Sequence, residues 1–530
     1  MKPEELVAAI DVGSGAVKGV VLGRSGRLWA EHTVALATHE ARPGHAEQAP
    51  QDWWAALEEI CRAWACAGVP LTQLRALTMT GQMQDVILSR GGRATVPALL
   101  YSDVRAIQEV AEVEEVFGDA RLGDVAAQTG NPHTAASVLP KLLWLRRHAP
   151  ELLAGRPRLH VGAKDLLTEQ LTGVHLTDHT TAATTGLYDL SSGRWHLGWP
   201  ARLGLDLELP ELRWPTELAG RVQEQAAARL GLPAGLPVLT GLGDAGATTL
   251  GAGVGLPGER YAYLGTSGWL GAVIRDLDRP ADGFRLPLLG PGTEVPNPEL
   301  PNPELPGSGR RSPVLPRPLM PSPLMTGPVL TVSPLTNAGS AHRWAAVTFA
   351  AGDYGRLERL MEEAAASDLL CLPYLAGERS PVQDPHARGV FVGVGPETGP
   401  GMLARAVLEG VAYALRATAE GQGEPAATLQ NGPLPLLGGG SRSAVWCQIL
   451  ADVFRTPVKV PARAALLPVF GAAYAAFVYL GWSVSYEDYR RDVLRDVSDV
   501  IVQPDPERAD WHDRQFGRFQ RVYPAVSSLF

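Results

Sequence analysis

Two stretches of this chain share one grammar, and that recurrence constrains the fold more than any single motif. Leu6–Val12 is an apolar run, Gly13-Ser14-Gly15 turns it, and Ala16–Leu22 is a second apolar run. About 250 residues later the order returns: Tyr261–Leu264, then Gly265-Thr266-Ser267-Gly268, then Trp269–Ile274. Such a repeat predicts two similar domains facing one another, each opening on a hairpin with a glycine and hydroxyl turn. Two unrelated hairpins with glycine turns would look the same at this level.

Around the first hairpin the pattern predicts a mixed α/β layer fold. Leu28–Leu36 reads as a third strand, and Pro50 suits the first position of a helix carrying Trp54, Leu57, Ile60, Cys61 and Trp64 at helical spacing. Leu74–Thr80, Asp85–Ser89 and a stretch near Pro97–Tyr101 read as further strands. A length of 530 residues fits two domains of ordinary size, here divided as 1–253 and 254–490, with 491–530 as a C-terminal extension. A hydrophobic share of 45% against 19% charged residues excludes disorder as the dominant state.

Between Pro280 and Pro334 the composition changes. Pro-Asn-Pro-Glu-Leu occurs twice in tandem (Pro296–Leu305), and six more prolines follow by Pro323. Proline at this density predicts an extended insertion outside the core, either an inert loop or a segment that docks aromatic grooves. Ala464–Tyr486 lacks charge and is long enough to span a bilayer, but Pro468, Gly471 and Gly481 interrupt it, so a buried helix over 469–480 is expected. No membrane partner is expected, and Met1–Glu5 with its two acids does not open a secretion signal. A net charge of −9 argues against a broad nucleic-acid surface, and four scattered cysteines fit a reducing, cytoplasmic setting.

Three glycine-rich turns follow apolar runs: Asp11–Gly15, Gly265–Gly268 and Gly438-Gly439-Gly440-Ser441. Glycines let backbone amides approach an anion, and Ser14 and Thr266 add hydroxyl donors. Neither the dinucleotide nor the P-loop glycine pattern is present. Asp11 and Asp244 stand beside such strand ends. Transfer from a nucleotide needs one carboxylate to hold Mg²⁺ near the phosphates and another to take the acceptor's proton. An isolated Asp more often caps a turn or helix.

The motifs together resemble the FGGY family of carbohydrate kinases, within the superfamily of sugar kinases, actin and the heat-shock chaperones. Ile10-Asp11-Val-Gly13-Ser14 with Lys18 resembles its first phosphate motif, and Glu47-Gln48 with Trp53-Trp54 a segment that follows. Gly81-Gln82-Met83 and Ser102-Asp103-x-Arg105 resemble sugar-side motifs of the xylulokinase branch. Lys141-Leu-Leu-Trp144-Leu145 matches half of a family signature, whose first half fits poorly. Gly243-Asp244 resembles the catalytic-aspartate motif, Gly265–Gly268 the second phosphate motif, and Gly438–Ser443 the adenosine-side motif. Leu372–Arg379, Asp384–Gly389 and Gly389–Glu409 also follow the family pattern.

The resemblance implies two ribonuclease H-like (actin-like ATPase) domains with ATP and a small sugar meeting in the cleft between them. It implies Asp244 as general base, Asp11 at the Mg²⁺, and Gly13, Ser14, Lys18, Gly265 and Thr266 at the phosphates. Gly438 and Gly439 fall on the adenosine side, and Gln82, Met83, Gln84, Asp103 and Asp244 around the sugar. Two positions depart from the xylulokinase branch: Gln84 stands where His is usual, and Ala245 where Asn is usual. Loss of two polar groups can redirect substrate choice, so D-xylulose is expected first and another ketose or polyol close behind. An ATP-driven conformational protein and a non-catalytic sugar sensor are the rival readings. A homodimer is the ordinary oligomeric expectation.

Overall fold

All seven residues of the strand Leu6–Val12 are buried, as a strand covered on both faces requires. In the computed structural model, which describes residues 4–118, 124–275, 283–290, 327–364, 367–421, 432–495 and 498–530, its two faces go to different cores. Leu6, Ala8 and Ile10 pack with the helix Pro50–Cys66, while Val7 and Ala9 pack on the other side. Within that helix Trp53, Trp54, Leu57, Ile60, Cys61 and Trp64 are buried, the face their spacing predicts.

The first sheet begins as an antiparallel meander of Leu6–Val12, Ala16–Gly23 and Leu28–Ala35. Leu74–Gly81 lies parallel to the first strand on its free side, followed by parallel Pro237–Leu239 and antiparallel Leu218–Arg221. The second sheet has the same plan. Arg260–Leu264, Gly268–Ile274 and Val329–Leu335 form its meander. Leu434–Leu437 lies parallel to Arg260–Leu264, then come parallel Val458–Val460 and antiparallel Val500–Val502. The recurrence in the sequence is therefore a duplicated topology and not a coincidence of hairpins.

The uncharged stretch forms the helix Leu467–Tyr479, buried along nearly its whole length. Although it follows the second sheet in sequence, it packs on the helix Asp244–Gly251 and on the Leu6–Val12 and Leu74–Gly81 strands of the first. Two glycines permit the close crossing: a Cβ at Gly471 would lie 1.8 Å from the Ala247 carbonyl, and one at Gly251 would lie 1.9 Å from that of Leu467. No helix among the described residues is long and apolar enough to cross a membrane.

The proline-rich segment is narrower than the span 280–334. Phe284–Pro287 and Val329–Leu335 are strands of the second sheet, paired antiparallel. Phe284–Pro287 covers only Val329–Val332, so Pro334 lies beyond that pairing, where its carbonyl accepts from the Ser380 amide at 3.2 Å and no ladder amide is needed from it. The duplicated pentapeptide Pro296–Leu305 lies outside the described residues. The strand expected near Pro97–Tyr101 contracts to Ala98–Leu99. Residues beyond 490 supply the edge strand Val500–Val502 and the helix Pro506–Val526, whose Phe516 and Phe519 join the core of the second lobe.

Candidate active site

Asp11 and Asp244 are brought together by strand order. Asp11 pairs with Thr80 and Val12 with Gly81 on one side of the Leu74–Gly81 strand, and Gly243 pairs with Gly81 on the other. Two inter-strand spacings separate them, roughly 10 Å at the backbone. Both stand at the carboxyl ends of parallel strands, where open α/β sheets bind ligands. A Cβ at Gly81 would lie 2.8 Å from the Val12 carbonyl, so glycine permits this approach.

Burial pushes the Asp11 carboxyl up to about 6, opposed by Lys18, whose Nζ lies 4.0 Å from Oδ2. Asp244 is pushed up to about 7, by burial first, then by the charges of Asp11 and Asp178. Like charges beside one another in a dry site resist joint ionisation. A carboxylate that ionises near neutrality is suited to take a proton from a hydroxyl. Lys18 also donates to the Ala465 carbonyl at 3.0 Å, tying the hairpin to the segment before the Leu467–Tyr479 helix.

The first turn is closed by the Gly13 amide on Ala16 O at 3.1 Å. The Ser14 carbonyl accepts from Gln48 Nε2 at 2.6 Å, and Gln48 Oε1 accepts from Trp53 Nε1 at 2.9 Å and Gln82 Nε2 at 3.1 Å. Gln82 is buried and thus engages the turn through Gln48. Met83 presses on the residue before Asp244: a Cβ at Gly243 would lie 2.3 Å from Met83 Sδ. Gln84 has a left-handed backbone (φ 62°), and its Nε2 donates to the Thr184 carbonyl at 3.2 Å. The buried Lys141 ammonium donates to the carbonyls of Gln84 and Leu100 at 3.0 and 2.6 Å, tying these two segments together. Asp103 is fully buried, and its oxygens accept from the Ala46 amide at 2.7 Å and from Arg105, which reaches on to Glu47. It holds its loop.

In the second lobe the turn Gly265–Gly268 docks on the start of the helix Gly339–Ala350. Gly339 and Ser340 donate to the carbonyls of Gly265 and Thr266, both at 2.8 Å. Gly438 (φ 87°) ends the neighbouring parallel strand, and a Cβ there would lie 2.6 Å from the Leu264 carbonyl. Gly439 is exposed with open space above it. Gly265–Thr266 and Gly438–Gly439 therefore stand on directly paired strands, whereas in the first lobe one strand lies between Asp11 and Asp244.

Two matching sheets, each presenting turns at the carboxyl ends of its central parallel strands, define an actin-like two-domain ATPase fold. The sequence pattern of the FGGY family's N-terminal domain matches residues 6–251 and that of its C-terminal domain residues 332–480. The chain belongs to the FGGY family of carbohydrate kinases, and it is a sugar kinase. It is 29% identical over 526 residues to the xylulose kinase of Escherichia coli (strain K12), covering 98% of this chain and 99% of that one. It is 25% identical over 531 residues to the xylulose kinase of Bacillus subtilis (strain 168), covering 99% and 97%. The crystal structure of xylulose kinase from Rhodospirillum rubrum superposes with a TM-score of 0.83 at 26% identity, covering 99% of both chains.

Proposed function

We propose that the protein transfers the γ-phosphoryl group of ATP to a hydroxyl of D-xylulose, giving D-xylulose 5-phosphate, with Asp244 as general base. The observation that carries this reading is the pair of carboxylates, Asp11 and Asp244, flanking one strand end. Asp244 takes the hydroxyl proton as the oxygen attacks the γ-phosphorus, and ADP leaves with the electrons of the broken bond. Gly13, Ser14, Lys18, Gly265 and Thr266 hold the phosphates, and Gly438 and Gly439 the adenosine side. Closure of the lobes keeps water from replacing the sugar as acceptor.

The residues at Asp11 fit a Mg²⁺ ion. Among the described residues no group of three or more His, Cys, Asp or Glu is arranged to hold a metal alone. Mg²⁺ ordinarily takes one or two carboxylates and completes its shell with phosphates and water, which a single buried Asp beside a phosphate turn supplies. When bound, the ion neutralises charge on the phosphates.

The identity of the sugar rests on the relatives' substrate. A second reading, another ketose, a polyol or a sugar acid, is favoured by Gln84 and Ala245. A coupled ADP-release screen over ketoses, aldoses, polyols and sugar acids separates them. The highest kcat/KM for D-xylulose is expected; a higher value for another acceptor moves the assignment to it. Sugar binding without sugar-dependent ADP release would make the protein a sensor.

A further inference from the structure

Asp244 stands at the junction of a two-residue strand, Leu242–Gly243, and the helix Asp244–Gly251. So short a strand does little to fix its own direction, and something else must. Beside it Lys164, Asp165 and Asp178 are enclosed by protein. Lys164 Nζ lies 2.7 Å from Asp165 Oδ1 and 2.8 Å from Asp178 Oδ1. Asp165 Oδ2 accepts from the Thr177 hydroxyl at 2.8 Å. Asp178 Oδ1 also accepts from the Thr181 hydroxyl at 2.6 Å, and its Oδ2 from the amides of Thr181 at 3.0 Å and Gly243 at 3.3 Å.

Buried ion clusters are weak contributors to stability, since apolar residues of similar volume often serve as well. This one delivers a fixed acceptor to the amide adjoining Asp244. Gly243 is closely packed, since a Cβ there would lie 2.9 Å from Thr181 Oγ1 and 2.3 Å from Met83 Sδ. We propose that Asp178, held by Lys164, which Asp165 anchors in turn, is a positioning residue for Asp244, gripping the Gly243 amide and so fixing where the Asp244 carboxylate stands. This role presupposes Asp244 as the base. Asp178 also caps the short helix His179–Ala182, so a purely structural part would show as a lower melting temperature with kcat kept.

A double-mutant cycle on the full chain, read as sugar-dependent ADP release, tests it. Asp178→Asn is expected to lower kcat about 10–100-fold, as a displaced catalytic group does, with sugar KM within about twofold. Added to Asp244→Asn, it should lower kcat less than about threefold further, because it acts through the carboxylate already removed. A fully multiplicative loss in the double variant, or an Asp178→Asn protein with normal kcat, overturns the positioning role and leaves Asp244 as base. Normal turnover by Asp244→Asn alone overturns the base assignment instead. Should Asp178→Asn not fold, Asp178→Glu keeps the charge beside Lys164 but shifts the carboxylate by one methylene. Unchanged kcat in that variant overturns the role as well.

Discussion

The two lobes place different chemistry on the same strand order. In the first, the opening strand ends in Asp11-Val12 before its glycine turn, and a second carboxylate, Asp244, follows two strands away. In the second, the equivalent strand ends in Tyr263-Leu264, and its neighbour in Gly438-Gly439. Both copies carry a glycine and hydroxyl turn, but only the first adds carboxylates at its strand ends. Duplicated topology fixes where groups can stand; the residues at the strand ends decide which partner each lobe handles.

If that division holds, the largest effect falls on kcat in the first lobe. Asp244→Asn keeps the shape and loses basicity, so kcat should fall about 10²–10⁴-fold with sugar KM little changed. In the unaltered protein kcat/KM should rise with pH through about 7, as Asp244 gives up its proton. A flat profile between pH 5 and 8 would sink the assignment of the base.

Next comes Asp11→Ala, expected to lower turnover about 10–100-fold and to raise the Mg²⁺ concentration needed for half-maximal rate. Unchanged metal dependence would make Asp11 a structural residue. The counterpart in the second lobe is Gly438→Ala, which strains a left-handed backbone against the Leu264 carbonyl. It should raise the KM for ATP about tenfold and leave sugar KM alone. A larger change in sugar KM than in ATP KM would break the division between lobes. The smallest effect is on specificity. Gln84→His, alone or with Ala245→Asn, should shift relative kcat/KM toward D-xylulose about fivefold, one regained hydrogen bond. The left-handed backbone at 84 accepts His readily. An unaltered ranking would mean that neither side chain faces the substrate.

Much of this was legible in the sequence where the signal is local. The hairpin over residues 6–22, its repeat near 261–274 and the helix opening at Pro50 follow from apolar runs, glycine turns and spacing. The strands Phe284–Pro287 and Val329–Leu335 did not stand out, because surrounding prolines masked short apolar runs whose partners are non-local. Among the site residues, strand-end carboxylates announce themselves. Lys164 and Asp178 look like ordinary polar residues of helices and turns, and the signature that contains Lys141 does not say what its ammonium holds. Only the fold encloses them and aims them at Gln84 O and the Gly243 amide. Gln48 is similar: its neighbours in sequence give no hint that it links Ser14 to Gln82.

The helix Leu467–Tyr479 has a consequence for how the protein is made. It covers the face of the first sheet bearing Val7, Ala9 and Val20, yet its last residue, Tyr479, is made 228 residues after Gly251. At about 5–20 residues per second, the first lobe waits roughly 10–50 s on the ribosome for its missing wall. During that interval an apolar sheet face stands open to solvent and to chaperones. A messenger truncated after residue 253 would yield a chain unable to close its core, and such a product should be found with aggregates or proteases and not among folded proteins.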